Sequence, residues 1–187
     1  AYACGHALDM ARHAASNNDR DTWSDRANIL TPLAKSFPTD VGVEVASLGI
    51  QIHGGMGYVE ETGAARLLRD ARIAPIYEGT NGIQAIDLVT RKLPLRNGAA
   101  VEDRLQEQDE IVASLQAANQ PGFASLAEAL HEALANLRVT TATLLSWIAS
   151  GQMTRALAGA TAYQRQFALT LGGCALAKAA LVEPERL

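Results

Sequence analysis

Phe123, Leu126, Leu130, Leu134, Leu137, Thr141, Leu144 and Ile148 follow one another at spacings of three and four. That period places them on one face of a helix about seven turns long. A single apolar stripe is not stable in water and must be laid against another element. The same period recurs along the chain: Ala27, Leu30, Leu33 and Phe37; Val41, Val45, Leu48 and Ile52; Ile83, Ile86 and Val89, with Leu93 near the end; Leu105, Ile111, Leu115 and Ala118. A last series runs through Leu157, Ala160, Tyr163, Phe167, Leu171, Cys174 and Leu181. Hydrophobic residues make up 48% of the 187 positions but aromatic residues only 5%. Strands favour β-branched and aromatic side chains, so this alanine-rich composition suits close-packed helices. The expected fold class is all-α.

The breaks between these stripes divide the chain. Ala3, Ala7, Met10 and Ala14 already share a face at the start, with no capping residue before them. This reads as a helix continued from further upstream, running to about Ser16. Asn17-Asn18-Asp19 offers stop and turn chemistry. Pro38 predicts a kink or a restart capped by Thr39 or Asp40. Gly54 suits the left-handed residue that closes a helix. A short helix is expected from Glu60 to Arg72, an extended segment from Ile73 to Tyr77, and a helix capped by Thr80. Pro94 to Ala100 reads as a linker, so residues 1–93 and 101–187 are expected as two helical units. Gly172-Gly173 sits inside a continuing helical pattern and predicts close helix packing.

Charge and cysteine content narrow the partners. A net charge of -4 with both signs dispersed gives no basic track for nucleic acid. No apolar run reaches the ~18 residues of a membrane span. Cys4 and Cys174 fall in apolar helical patterns and read as reduced, buried thiols of a cytosolic, hence cytoplasmic, protein.

Two stretches depart from plain helical patterning. In Ile76-Tyr77-Glu78-Gly79-Thr80 a carboxylate precedes a glycine at a helix start. The amides of Asn81, Gly82 and Ile83 are expected to be free there. A carboxylate beside an amide donor suits removal of a proton alpha to a carbonyl, the amide holding the developing oxyanion. Spacing alone equally allows Glu78 to be a helix-entry residue stabilised by the dipole. Gln51-Ile52-His53-Gly54-Gly55-Met56-Gly57 has two readings as well, a helix end with its turn or a contact for a phosphate or nucleotide. His53 reads more simply as a satisfied helix-end histidine. No second ligand stands at metal spacing, so no metal site is expected.

The strings QIHGGMGY, RLLRDARI and IYEGT, in that order between Val45 and Leu93, resemble the C-terminal helical domain of the acyl-CoA dehydrogenase family. Residues 1–44 fit the preceding helices of the same four-helix bundle. Residues from about 101 onward are similar to a smaller helical extension of one subgroup, the methylthio-propanoyl-CoA dehydrogenase-like enzymes. The resemblance implies the C-terminal part of an enzyme that converts an acyl-CoA to the trans-2-enoyl-CoA. In it Glu78 is the general base, the flavin of FAD accepts the β hydride, and the Gly79 amide binds the thioester oxygen. Thr80, Asn81 and Gly82 match a segment that touches FAD. Gln51, Ile52, His53, Gly54 and Gly55 match one that contacts the FAD of a neighbouring subunit, which implies a homodimer or homotetramer. Electrons would leave through an electron-transfer flavoprotein. Gly82 departs from the glutamine common at that place. An acyl-CoA oxidase, or a non-catalytic helical assembly module, stands as the alternative.

Overall fold

A computed structural model of the protein describes residues 1–118 and 120–183; residues 184–187, the end of the expected extension, lie outside the described residues. Among the described residues there is no strand, and the all-α expectation holds. Helix α1 spans Tyr2–His13, α2 Asn17–His53, α3 Gly55–Tyr58, α4 Ala64–Ala71 and α5 Asn81–Asp87. Then come α6 at Ala99–Ala117, α7 at Phe123–Ala149, α8 at Met153–Ala158 and α9 at Ala160–Val182.

Helix α2 is the spine. Its 37 residues extend for about 55 Å. It begins where a turn was expected, because the Ser16 hydroxyl accepts the Asp19 amide at 3.1 Å and makes Asn17-Asn18-Asp19 a capped first turn. It also runs through Pro32 and Pro38 without restarting. A proline costs about 3 kcal/mol inside a helix. Burial of Ala27, Ile29, Leu30 and Leu33 offsets that cost, at roughly 1.5–3 kcal/mol for each large side chain. Thr39 and Asp40 are not caps. The Thr39 hydroxyl donates to the Lys35 and Ser36 carbonyls, both at 2.9 Å, and the Asp40 carboxylate accepts from Asn81. On α1 the buried positions are Cys4 and Ala7, whereas Ala3 and Met10 are exposed.

Below the spine the chain doubles back along α2 through α4. The expected helix from Glu60 to Arg72 is split. A 3-10 turn over Glu60–Thr62 ends at Gly63, whose φ of 81° starts α4 afresh. Ile73–Tyr77 is not extended: the Ile76 and Tyr77 amides both reach the Ile73 carbonyl, at 3.0 and 2.9 Å. Pro75 sits where a turn needs no amide donor, so it permits the turn that it was expected to prevent. Helix α5 buries Ala85 and, through the π-helical turn Leu88–Lys92, Leu88 and Val89; Ile83 and Ile86 face outward. The π turn is closed by the Leu93 amide on the Leu88 carbonyl at 2.8 Å, and Leu93 beyond it is buried as well.

The two halves share one core. Ile29, Leu33, Leu88 and Leu93 pack in the same cluster as Leu105, Leu134, Phe167 and Cys174. Helix α9 touches α2, α5, α6, α7 and α8. Its buried Gln164 amide donates to the Pro32 carbonyl at 3.2 Å. Between the halves Arg96 binds Asp25 and Asp103, each at 2.7 Å. The α7 stripe is buried at seven positions, Phe123, Ala127, Leu130, Leu134, Leu137, Thr141 and Leu144. Thr141 is tolerated there because its hydroxyl and that of Tyr163 are 2.8 Å apart. An added Cβ at Gly173 would lie 3.0 Å from Leu130 Cδ2, so this glycine serves close helix packing; Gly172 has open space. Both cysteines are free and buried.

Candidate functional site

Glu78 sits at the apex of a closed loop. The Asn81 amide donates to the Pro75 carbonyl at 2.9 Å and draws the loop shut. Glu78 has φ 52° and Gly79 φ 85°, two successive left-handed residues. For a residue with a Cβ this conformation costs about 1–2 kcal/mol, and it persists only where the surroundings hold it. The Glu78 side chain is exposed, and its carboxylate has no hydrogen-bond or ion-pair partner among the described residues. The Gly79 amide has no partner there either. One residue pair therefore presents an acceptor and a donor, both uncommitted, on the same turn.

The rest of the segment is less open than its sequence implied. The Thr80 hydroxyl accepts the Ile83 amide at 3.2 Å, which is the expected cap. With the Asn81 and Ile83 amides both used, only that of Gly82 is left of the three expected to be free. The Asn81 side chain turns away from the loop surface and into α2. Its Nδ2 donates to the Ser36 carbonyl at 3.1 Å, Thr39 Oγ1 at 2.9 Å and Asp40 Oδ1 at 2.7 Å. Its Oδ1 accepts from Lys35 Nζ at 2.7 Å. Lys35, Ser36, Thr39 and Asp40 did not emerge as site residues from the sequence. Their only signal is a polar face on two successive turns of α2, more than 40 positions from the motif.

The second segment lies at the far end of α2. Gln51, Ile52, His53, Gly54 and Gly55 are all exposed. Gly54 closes the helix with φ 59° and ψ -141°, outside the left-handed region expected, and its amide donates to Gln51. The His53 Nδ1–H donates to the Gly49 carbonyl at 2.8 Å, as a satisfied helix-end histidine does. Gly57 has a packing reason: a Cβ there would lie 2.4 Å from the Ile50 carbonyl oxygen. At Gly54 and Gly55 no atom stands within 4 Å of an added Cβ, so their backbone is open to a ligand. From Ser36, which Asn81 touches, to Gln51 is roughly 20 Å of helix axis. One copy of the chain does not bring its two motifs together. Between and around them Val45, Leu48, Ile52, Met56, Tyr58, Ile76 and Tyr77 are exposed, Ile52 at 84%.

Comparisons with known proteins give the family. Residues 3–93 match the acyl-CoA dehydrogenase C-terminal domain. Residues 104–187 match a module described as acetyl-CoA dehydrogenase C-terminal like. The chain belongs to the acyl-CoA dehydrogenase family and carries these two C-terminal parts of it. Over 107 residues, 57% of this chain, it is 53% identical to a 3-methylmercaptopropionyl-CoA dehydrogenase of Ruegeria pomeroyi. It is 34% identical over 113 residues, 60% of the chain, to a butyryl-CoA dehydrogenase of Syntrophomonas wolfei. An acyl-CoA dehydrogenase of Bacillus subtilis shares 48% over 80 residues, 43% of this chain. The aligned parts make up 18%, 18% and 20% of those three proteins, so the chain spans about a fifth of their length.

Proposed function

We propose that the full-length protein carrying this chain is a flavin-dependent acyl-CoA dehydrogenase in which Glu78 removes the α proton. The carrying observation is the pairing of an unpartnered Glu78 carboxylate with the unpartnered Gly79 amide on one loop held at positive φ. The carboxylate takes the α proton and the amide holds the thioester oxygen as charge develops on it. A free glutamate, with a pKa near ~4.3, is a weak base. The reaction therefore leans on the Gly79 amide, which lowers the barrier by holding the developing oxyanion.

The residues present suit FAD. Open backbone at Gly54 and Gly55, the exposed Gln51, Ile52 and His53, and the uncommitted Gly82 amide supply apolar contact and donors for a dinucleotide. When bound, FAD supplies the acceptor for the β hydride. Thr80 and Gly82 would line one flavin, and Gln51 to Gly55 that of a neighbouring subunit. The separation of the two motifs and the apolar residues exposed near them support a homodimer or homotetramer. Electrons would pass on to an electron-transfer flavoprotein. The relatives named for butyryl-CoA and 3-methylmercaptopropionyl-CoA favour a short acyl chain.

The test uses the full-length protein. It should purify yellow and be bleached anaerobically by a short acyl-CoA, with kcat/KM falling toward long chains. Glu78→Gln should keep FAD and not bleach. Bleaching at the wild-type rate in that variant would refute the assignment of the base, and a colourless protein would favour an assembly module. Reoxidation by air would identify an oxidase instead.

A further inference from the structure

We infer that Lys35, Thr39, Asp40 and Asn81 form the positioning device that holds the base loop, with Asn81 as its key. The inference rests on Glu78 being the base. Asn81 stands three residues after Glu78 and ties the loop down twice. Its backbone amide closes the loop on the Pro75 carbonyl at 2.9 Å. Its side-chain amide is read by groups from two turns of α2: Nδ2 donates to the Ser36 carbonyl, Thr39 Oγ1 and Asp40 Oδ1, and Oδ1 accepts from Lys35 Nζ at 2.7 Å. The Thr39 hydroxyl stands 3.3 Å from that same oxygen.

This arrangement demands both halves of a carboxamide. An aspartate would set its carboxylate against that of Asp40. An alanine would leave Lys35 and Asp40 without their shared partner. Between this anchor and the turn at Ile73–Tyr77, no hydrogen bond or ion pair among the described residues holds Glu78 and Gly79 at their positive φ. The anchor therefore sets where the carboxylate and the Gly79 amide stand relative to substrate. Proximity effects make a 1 Å displacement of a reacting group worth about 100-fold in rate.

The experiment is made on the full-length holoenzyme. With the flavin held reduced, deuterium incorporation from D2O at the acyl α-carbon reports proton removal apart from turnover. FAD content and KM are measured beside it. Asn81→Asp should lower α-exchange and kcat together by roughly 100-fold, with KM within about threefold and FAD retained. Asp40→Asn alone should lower exchange by roughly tenfold, less than Asn81→Asp, because its amide oxygen can still accept from Asn81 Nδ2. Joining the two restores a donor facing an acceptor, and should recover at least about tenfold over Asn81→Asp. A double variant no better than Asn81→Asp overturns the inference, as does wild-type exchange in Asn81→Asp. If Asn81→Asp does not fold or loses FAD, Thr39→Val decides, with an expected loss of about tenfold in exchange; no loss overturns it. Glu78→Gln separates the two levels. Wild-type exchange in that variant defeats both the base and its anchor. Loss there with full exchange in Asn81→Asp defeats the anchor alone.

Discussion

Glu78 combines an exposed carboxylate with a backbone conformation that favours glycine. Replacing it by glycine should relieve that strain and raise stability by about 1 kcal/mol, while abolishing dehydrogenation by the full-length protein. A thermal melt beside an activity assay checks both halves of this trade. Gly57→Ala should act oppositely. A methyl group placed 2.4 Å from the Ile50 carbonyl oxygen must push backbone aside, at a cost of about 1–3 kcal/mol in a urea titration. The Thr80 cap could be read from the sequence because its partner is three residues away. The role of Asn81 could not, because its partners lie 41 to 46 residues distant. A resemblance to a motif names residues that face a ligand and those that brace the loop without telling them apart.

At the scale of elements, local chemistry was legible where it acted alone and misleading where packing overruled it. The α7 stripe is nearly the buried face, because a helix between two neighbours buries what its period marks. Pro38 looked like a break, yet α2 runs on through it, whereas Asn17-Asn18-Asp19, read as a stop, is the capped first turn of that same helix. The apolar series on α5 pointed to Ile83 and Ile86, but the buried face is Ala85, Leu88 and Val89, an equally regular i, i+3, i+4 series, and a π turn follows it. A π turn has no sequence mark comparable to a cap. The turn before α4 carries a testable pH dependence. Arg69 donates to both Glu60 oxygens, at 2.7 and 2.8 Å, and holds that carboxyl below its usual range. The folded form thus favours the ionised glutamate. Its contribution is present above the ordinary glutamate pKa and is lost as pH falls through the depressed one. Amide exchange of residues 60–71 should quicken over that acidic window. In Glu60→Gln the pH step should vanish.

For the molecule as a whole, the joint between its halves governs cooperativity. The chain resembles two units in sequence, and residues 94–100 carry the proline, asparagine and glycine of a linker. In three dimensions Leu93, Ala100 and Val101 are buried in the common core, and a Cβ at Gly98 would approach Leu145 Cδ1 to 2.6 Å. Composition marks where a chain can turn; it does not show whether the pieces then share a core. Trp23 reports on one half and Trp147 on the other. Single-tryptophan variants should melt together, and Leu93→Ala should lower both midpoints by an equivalent of about 2–5 kcal/mol. Separated transitions would mean two independent units. The long α2 spine also explains why a site could be recognised from sequence but not assembled from it. Gln51 to Gly55 end that helix, whereas the Glu78 loop is tied by Asn81 to its middle turns, so the chain's order alone does not join the two. The central claim, that Glu78 is the base, is tested most directly by deuterium incorporation at the α-carbon of a short acyl-CoA, in D2O, with the full-length protein and its Glu78→Gln variant. A fall of about 100-fold or more with FAD still bound is the predicted result; exchange at the wild-type rate in the variant would contradict it.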